Sequence, residues 1–165
     1  MMKLDNKIAL ITGCASGVGQ AMAKEFARAG AHVGISYHTD KAGAEESRHW
    51  VEAAGKRAVL RQLDVRDEAS VAAFFDAIVS ELGVPDILVN DAGVGSSGTT
   101  VAEMTTEEFD RVIKTDLYGP FFCSREFIRL RKTAGGNGKI INITSVHEAI
   151  PSHGSAAYGA PKGGL

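Results

Sequence analysis

Short apolar runs alternate with longer amphipathic ones along the chain, and the alternation predicts a β/α order. Lys7-Ile-Ala-Leu-Ile-Thr12 is apolar without a period of two and stops at Gly13, the pattern of a strand buried on both faces. Val18, Met22 and Phe26 then recur every fourth residue until Gly30, which predicts an amphipathic helix closed by a glycine. His32 to Tyr37 reads as a second strand, and Asp40 to Ala54 as a helix begun by Thr39 or Asp40 and ended by Gly55. Arg57 to Gln62 is a third strand. Asp67 is a candidate N-cap for a helix carrying Val71, Phe74, Phe75, Ile78, Val79 and Leu82, which Gly83 stops. Asp86-Ile-Leu-Val-Asn90 is a fourth buried strand.

Thr105-Thr-Glu-Glu108 has the signature of a capping box and opens a helical stretch to about Lys132, with a kink expected at Gly119-Pro120. Gly138 to Thr144 is a fifth strand. A loop with Pro151 leads to a last helix starting near Ser155. Strands separated by helices of this length imply a parallel sheet with right-handed crossovers. Ligands of such sheets sit at the carboxyl ends of the strands, where each loop of chemical interest here begins.

Charge and composition narrow the classes. Eighteen basic residues against 20 acidic ones, with no basic block, argue against nucleic acid as a partner. No apolar run approaches the roughly 20 residues of a membrane span. Met1 to Asn6 lack the apolar segment of a secretory signal. Cys14 and Cys123 stand far apart, which fits a reducing compartment rather than a disulfide framework. His32, His38, His49, His147 and His153 show no metal-ligand spacing. The expectation is a single cytoplasmic domain spanning 1–165, with a small-molecule substrate and no metal, membrane or nucleic-acid partner. The 19 glycines fall at junctions between apolar runs rather than in a linker.

Thr12-Gly-Cys-Ala-Ser-Gly-Val-Gly19 lies between a strand and a helix. Gly13, Gly17 and Gly19 let backbone approach a pyrophosphate, and the helix N-terminus offers unpaired N–H groups and partial positive charge. Alone, the spacing also fits a ligand-free turn; the flanking strand and helix favour a nucleotide. The loop resembles the Thr-Gly-x-x-x-Gly-x-Gly segment of the short-chain dehydrogenase/reductase family. Asn90-Asp91-Ala92-Gly93 is similar to that family's Asn-Asn-Ala-Gly, with Asp in the second place. Leu63-Asp64-Val65 resembles its adenine-contacting segment. Ser145, followed after twelve residues by Tyr158 and then by Lys162, matches its catalytic Ser and Tyr-x-x-x-Lys.

The resemblance implies an α/β fold of the Rossmann type, a doubly wound parallel sheet in three layers (α/β/α). It implies NADP or NAD as cofactor and hydride transfer to or from an alcohol/carbonyl pair. It assigns cofactor contacts to Gly13, Ser16, Gly17, Val18, Gly19, Tyr37, His38, Asp64, Val65, Asn90, Ala92, Gly93, Tyr158 and Lys162. The chemistry is reasonable on its own terms. A carbonyl oxygen that gains or loses a hydride needs a proton partner, and a tyrosine, which ordinarily ionises near pH 10, needs a nearby cation to serve near neutrality. Lys162 is four residues from Tyr158, on the same helix face. Ser145 is placed to bind the substrate oxygen. Tyr37 and His38 end the second strand where NAD-preferring members carry an acid, which tilts the expectation towards NADP or dual use. Thr144 to Pro151 resembles the substrate loop of bacterial glucose 1-dehydrogenases within the family, where His147 or Glu148 could bind a polyol or lie exposed.

Three departures stand out. Asp116 occupies the place of the family's catalytic Asn, where its charge would hold Lys162 protonated yet weaken the positive field at Tyr158. Pro161 precedes the lysine, and proline is expected only in a first helical turn. Five strands are legible where the fingerprint fold has six in the order 3-2-1-4-5-6. The chain is therefore expected to be incomplete at its C-terminal side, with the fifth strand as an apolar edge and little dehydrogenase activity unless an in-frame continuation follows. Phe121, Phe122 and Phe127 are assigned to core or subunit contact, and a homo-oligomer is expected if the chain folds. A catalytically incompetent nucleotide-binding fragment and an interaction module are the competing readings at this level.

Overall fold

The buried apolar runs pair side by side because strands without a polar face must be covered on both sides. In the computed structural model, which describes residues 3–95, 98–150 and 152–165, five of them form one parallel sheet in the order β3-β2-β1-β4-β5. The strands are β1 (Ile8–Ile11), β2 (His32–Tyr37), β3 (Ala58–Gln62), β4 (Ile87–Asn90) and β5 (Lys139–Asn142). Leu10 at the centre pairs with Gly34 on one side and Leu88 on the other. The crossovers are α1 (Gly17–Arg28), α2 (Lys41–Ala53), α3 (Glu68–Glu81) and the pair α4 (Thr106–Ile113) and α5 (Gly119–Ala134), and α6 (Ala156–Gly164) follows β5. No helix among the described residues is long and apolar enough to cross a membrane. Pro151 and its loop expectation lie outside the described residues.

The pleat divides the core. Ala9 and Ile11 of β1, Val33 and Ile35 of β2 and Val89 of β4 point to one face, where Ala23, Ala27, Ala44 and Val51 of α1 and α2 cover them. Leu10 and Leu88 point to the other, against Phe74, Phe75 and Ile78 of α3 and Cys123 and Phe127 of α5. Each fully buried Phe or Leu contributes roughly 2–3 kcal/mol of transfer free energy. The local signals hold. Asp40 accepts the Gly43 N–H, Asp67 accepts the Ala69 and Ser70 N–H groups, and Thr105 accepts the Glu108 N–H.

Three expectations are corrected. The buried face of α1 is Gly19, Ala23 and Ala27, while Val18 is 56% exposed and Met22 and Phe26 only flank the core. Small residues let the helix lie close on the sheet, and a four-residue apolar spacing beside them marks only the rim of that contact. The long helix is broken before Gly119-Pro120, by a π-helical turn over Lys114–Tyr118 that buries Thr115 and Asp116. Pro161 is interior to α6 rather than in its first turn. It is buried, and the Ala157 carbonyl loses the N–H that any other residue would return to it. Among the described residues β5 is the last strand of the sheet order and pairs with β4, with Ile140 and Ile141 part-exposed.

Candidate active site

The carboxyl ends of β1, β2, β3 and β4 open into one cleft of about 630 Å³. Its floor is the loop after β1. Gly13 has φ of +75°, and a Cβ there would stand 2.9 Å from the backbone of Ala92. Its N–H donates to Ser36 Oγ at 3.1 Å, and the Cys14 N–H donates to the Ser36 carbonyl at 3.0 Å. Cys14 is fully buried beneath the loop, and burial pushes its thiol up to about 12. A Cβ on Gly19 would stand 2.4 Å from the Gly13 carbonyl oxygen, whereas one on Gly17 would meet nothing within 4 Å. The loop therefore folds tightly on itself at Gly13 and Gly19 and stays open at Gly17, at the N-terminus of α1. That concave, amide-lined end fits an anionic group such as a pyrophosphate.

The loop after β4 forms the facing wall. Thr12 Oγ1 accepts the N–H groups of Asp91 and Ala92, both at 3.0 Å. Asn90 Nδ2 donates to Ser124 Oγ and Asn142 Oδ1, which ties β4 to α5 and β5 and keeps Asn90 out of the cleft lining. Asp91, Ala92, Gly93 and Val94 line the cleft, with Arg111 and Thr115 beyond them.

At the far end lie Tyr37, His38, Thr39, Asp40, Asp64, Val65 and Arg66. Arg66 grips Asp64 through Nε at 2.8 Å and Nη2 at 2.6 Å, and this holds the Asp64 carboxyl down at about 2. His38 Nε2 is 3.5 Å from the same carboxylate. Asp40 is turned to its cap bond with Gly43. Both acids near the end of β2 thus already have partners.

The predicted catalytic residues lie on the next two elements, outside this lining. Lys162 is buried; its Nζ donates to the Ile143 carbonyl at 3.0 Å and lies 3.2 Å from Asp116 Oδ2. That last contact is an ion pair rather than an aligned hydrogen bond. Asp116 is fully buried in the π-turn, and its Oδ1 accepts the Val94 N–H at 2.8 Å. Burial raises the Asp116 carboxyl, against the lowering pull of that N–H and of Lys162. Lys162 Nζ lies 5.5 Å from the centre of the Tyr158 ring. Tyr158 meets the His147 ring edge-on at 6.2 Å. Ser145 caps the 3₁₀ turn Val146–Glu148 and accepts the His147 N–H at 3.2 Å. Among the described residues no hydrogen bond joins Ser145, Tyr158 and Lys162 to one another. Beside them a second cavity, about 300 Å³, is lined by Thr99, Thr100, His147, His153, Ser152 and Ser155 among others. Glu148 is exposed and lines neither cavity.

Two contributors escaped the sequence reading. Ser36 was legible only as a polar residue inside an otherwise buried strand. Asp91 reads as a motif substitution, yet its carboxylate lies against Gly19 across the cleft wall, where a Cβ would stand 2.6 Å from Oδ2.

A family model described as short chain dehydrogenase matches residues 7–165. The chain is 42% identical over 165 residues to an uncharacterized oxidoreductase, YxbG, of Bacillus subtilis, covering all of this chain and 59% of the relative. It is 31% identical over 162 residues to Glucose 1-dehydrogenase 2 of the same organism, covering 98% of this chain and 63% of that one. The crystal structure of acetoin dehydrogenase YohF from Salmonella typhimurium superposes with a TM-score of 0.90 at 33% identity, covering 100% of this chain and 63% of that chain. The chain thus spans 59% and 63% of the length of these two curated relatives.

Proposed function

Because the chain belongs to the short-chain dehydrogenase family, we propose that its cleft holds NADP or NAD and that its site interconverts a secondary alcohol and a carbonyl. The observation that carries the reading is the glycine cradle at the α1 N-terminus, whose amide-lined end stands at the carboxyl edge of the sheet with the Ser145, Tyr158 and Lys162 elements beyond it.

Gly13, Ser16, Gly17 and Val18 would receive the pyrophosphate, and Asp64 and Val65 the adenine side, while Gly19 lies outside the cleft lining and closes the turn behind it. Asn90 supports the nicotinamide-side wall from behind, and Ala92 and Gly93 form it. Such a dinucleotide supplies a hydride donor or acceptor. Tyr158 Oη takes the alcohol proton as the carbonyl forms and returns it in the reverse direction. The Lys162 ammonium stabilises the phenolate, and Ser145 Oγ holds the substrate oxygen. Asp116 fixes the ammonium and offsets part of its charge, so Asp116→Asn strengthens the positive field at Tyr158 and moves the pH–rate profile to lower pH.

Tyr37 and His38 close the ribose end without a free carboxylate, since Asp40 and Asp64 are engaged, which favours acceptance of a 2′-phosphate and hence NADP. The hydroxyl- and imidazole-lined second cavity suits a hydroxylated substrate, a sugar or other polyol, in keeping with the name of the Bacillus relative. Tyr118, Phe121 and Ile128 are exposed along the outer side of the π-turn and α5, which supports a homo-oligomer. Two buried, unpaired cysteines fit a reducing, cytoplasmic setting.

The test is fluorescence titration of the chain with NADPH and NADH, then dinucleotide reduction over a polyol panel. Turnover is measured for the 165-residue chain and for the product of the reading frame followed past codon 165. Binding that is lost in Gly19→Val, and turnover that is lost in Tyr158→Phe, are expected. Unchanged binding in Gly19→Val refutes the placement of the cofactor.

A further inference from the structure

Helix α1 begins without the usual devices that satisfy a helix N-terminus. Ser16 at its N-cap makes no side-chain hydrogen bond, and its first turn carries no acid, so its amide charge must be met from elsewhere. Asp91 meets it from across the chain, its carboxylate lying against Gly19 in the first turn of α1. Only glycine permits the approach, because a Cβ at residue 19 would stand 2.6 Å from Asp91 Oδ2. The acid is held there by its own backbone, whose N–H donates to Thr12 Oγ1. The same residue lines the cleft. A negative charge of the chain thus lies at the end of α1, which draws anions.

We propose that Asp91 is a positioning residue that stands in for the pyrophosphate: ionised, it caps α1 while the cleft is open, and it takes up a proton when a dinucleotide seats on the same helix end. The inference rests on the dinucleotide reading above. Among the described residues the charged and titratable groups facing Asp91 are Lys162 of α6 and the Cys14 thiol of the loop after β1. Lys162 is the one cation of that set, and it is already in contact with Asp116, itself faced by Arg111 of α4. Little positive charge is left to balance a second anion beside Asp91, and a nearby negative charge favours the neutral acid. Burial already acts in that direction and raises the Asp91 carboxyl, opposed by the Gly19 N–H and Lys162.

Calorimetric titration of the chain with NADPH, in two buffers of different ionisation enthalpy, counts the protons exchanged. Net proton uptake on binding is expected, and it should fade at pH values low enough for Asp91 to be protonated before the dinucleotide arrives. Asp91→Asn keeps the shape of the side chain beside Gly19 without the charge; it should bind with no uptake and, near pH 8, roughly 3- to 10-fold more tightly than the wild type. Asp91→Ser, with a smaller side chain, should also lose the uptake. Should both variants fail to fold, the Asp91 Cγ resonance of the ¹³C-labelled wild-type chain decides. Its titration midpoint must rise on saturation with NADPH, and an unchanged midpoint overturns the proposal. Binding without proton exchange in the wild type, or uptake that persists in a folded variant, overturns it while leaving the cofactor reading intact. A wild-type chain that binds no dinucleotide overturns both.

Discussion

Gly19→Ala tests whether the loop is tight for the reason given. In an ordinary helix the change is favourable by about 1 kcal/mol. Here the new Cβ would stand 2.4 Å from the Gly13 carbonyl oxygen and 2.6 Å from Asp91 Oδ2. Gly13 cannot retreat, because its own Cα faces Ala92 and its N–H is bound to Ser36. Overpacking of this kind costs about 1–3 kcal/mol, and displacing the Asp91 carboxylate from the N-terminus of α1 adds about 0.3–1 kcal/mol. After the propensity gain, a net loss of about 0.3–3 kcal/mol is expected, which lowers a urea midpoint by up to about 1.5 M for a chain of this size. Dinucleotide affinity should fall more than tenfold, about 1.4 kcal/mol, since the new Cβ displaces Gly13 and Asp91, which line the cleft. Gly55→Ala is the matched control. It has φ of +72° and open space around the missing Cβ, far from the cleft. It should cost about 1 kcal/mol of backbone strain and leave affinity unchanged. Urea unfolding and NADPH titration of both variants give the comparison. Wild-type stability together with wild-type affinity in Gly19→Ala would refute the packing argument.

Lys162→Met removes the cation paired with Asp116 and should cost about 3–5 kcal/mol near pH 8, read by urea unfolding. The sign with pH follows from the raised Asp116 carboxyl: its charged form is the penalised one, so the deficit shrinks as pH falls and Asp116 protonates. A deficit that grows towards acid pH would contradict this. Asp67→Ala deletes the acceptor for two first-turn amides of α3 and should cost about 1 kcal/mol, with a matching drop in the thermal midpoint.

Whatever depended on near neighbours was legible in the sequence. Strand and helix order follow from apolar periodicity, the Asp40, Asp67 and Thr105 caps from chemistry within three residues, and the glycine loop from the residues that flank it. Tyr158 and Lys162 share a helix face by spacing alone. Tertiary structure decided the rest, because it turns on sheet register and on how closely layers approach. The Gly13 bond to Ser36 spans 23 residues and the Asp91 bond to Thr12 spans 79. The buried face of α1 was misread since small residues, which carry little apolar signal, are the ones that permit close packing on β1. Pro161 sits inside a helix because burial of α6 against its neighbours outweighs one missing hydrogen bond. Asp116 and Asp91 were visible as substitutions in a pattern. That one is paired with Lys162 and the other caps α1 depends on loops from β4, the π-turn and α6 meeting at one sheet edge, which no local stretch of sequence encodes.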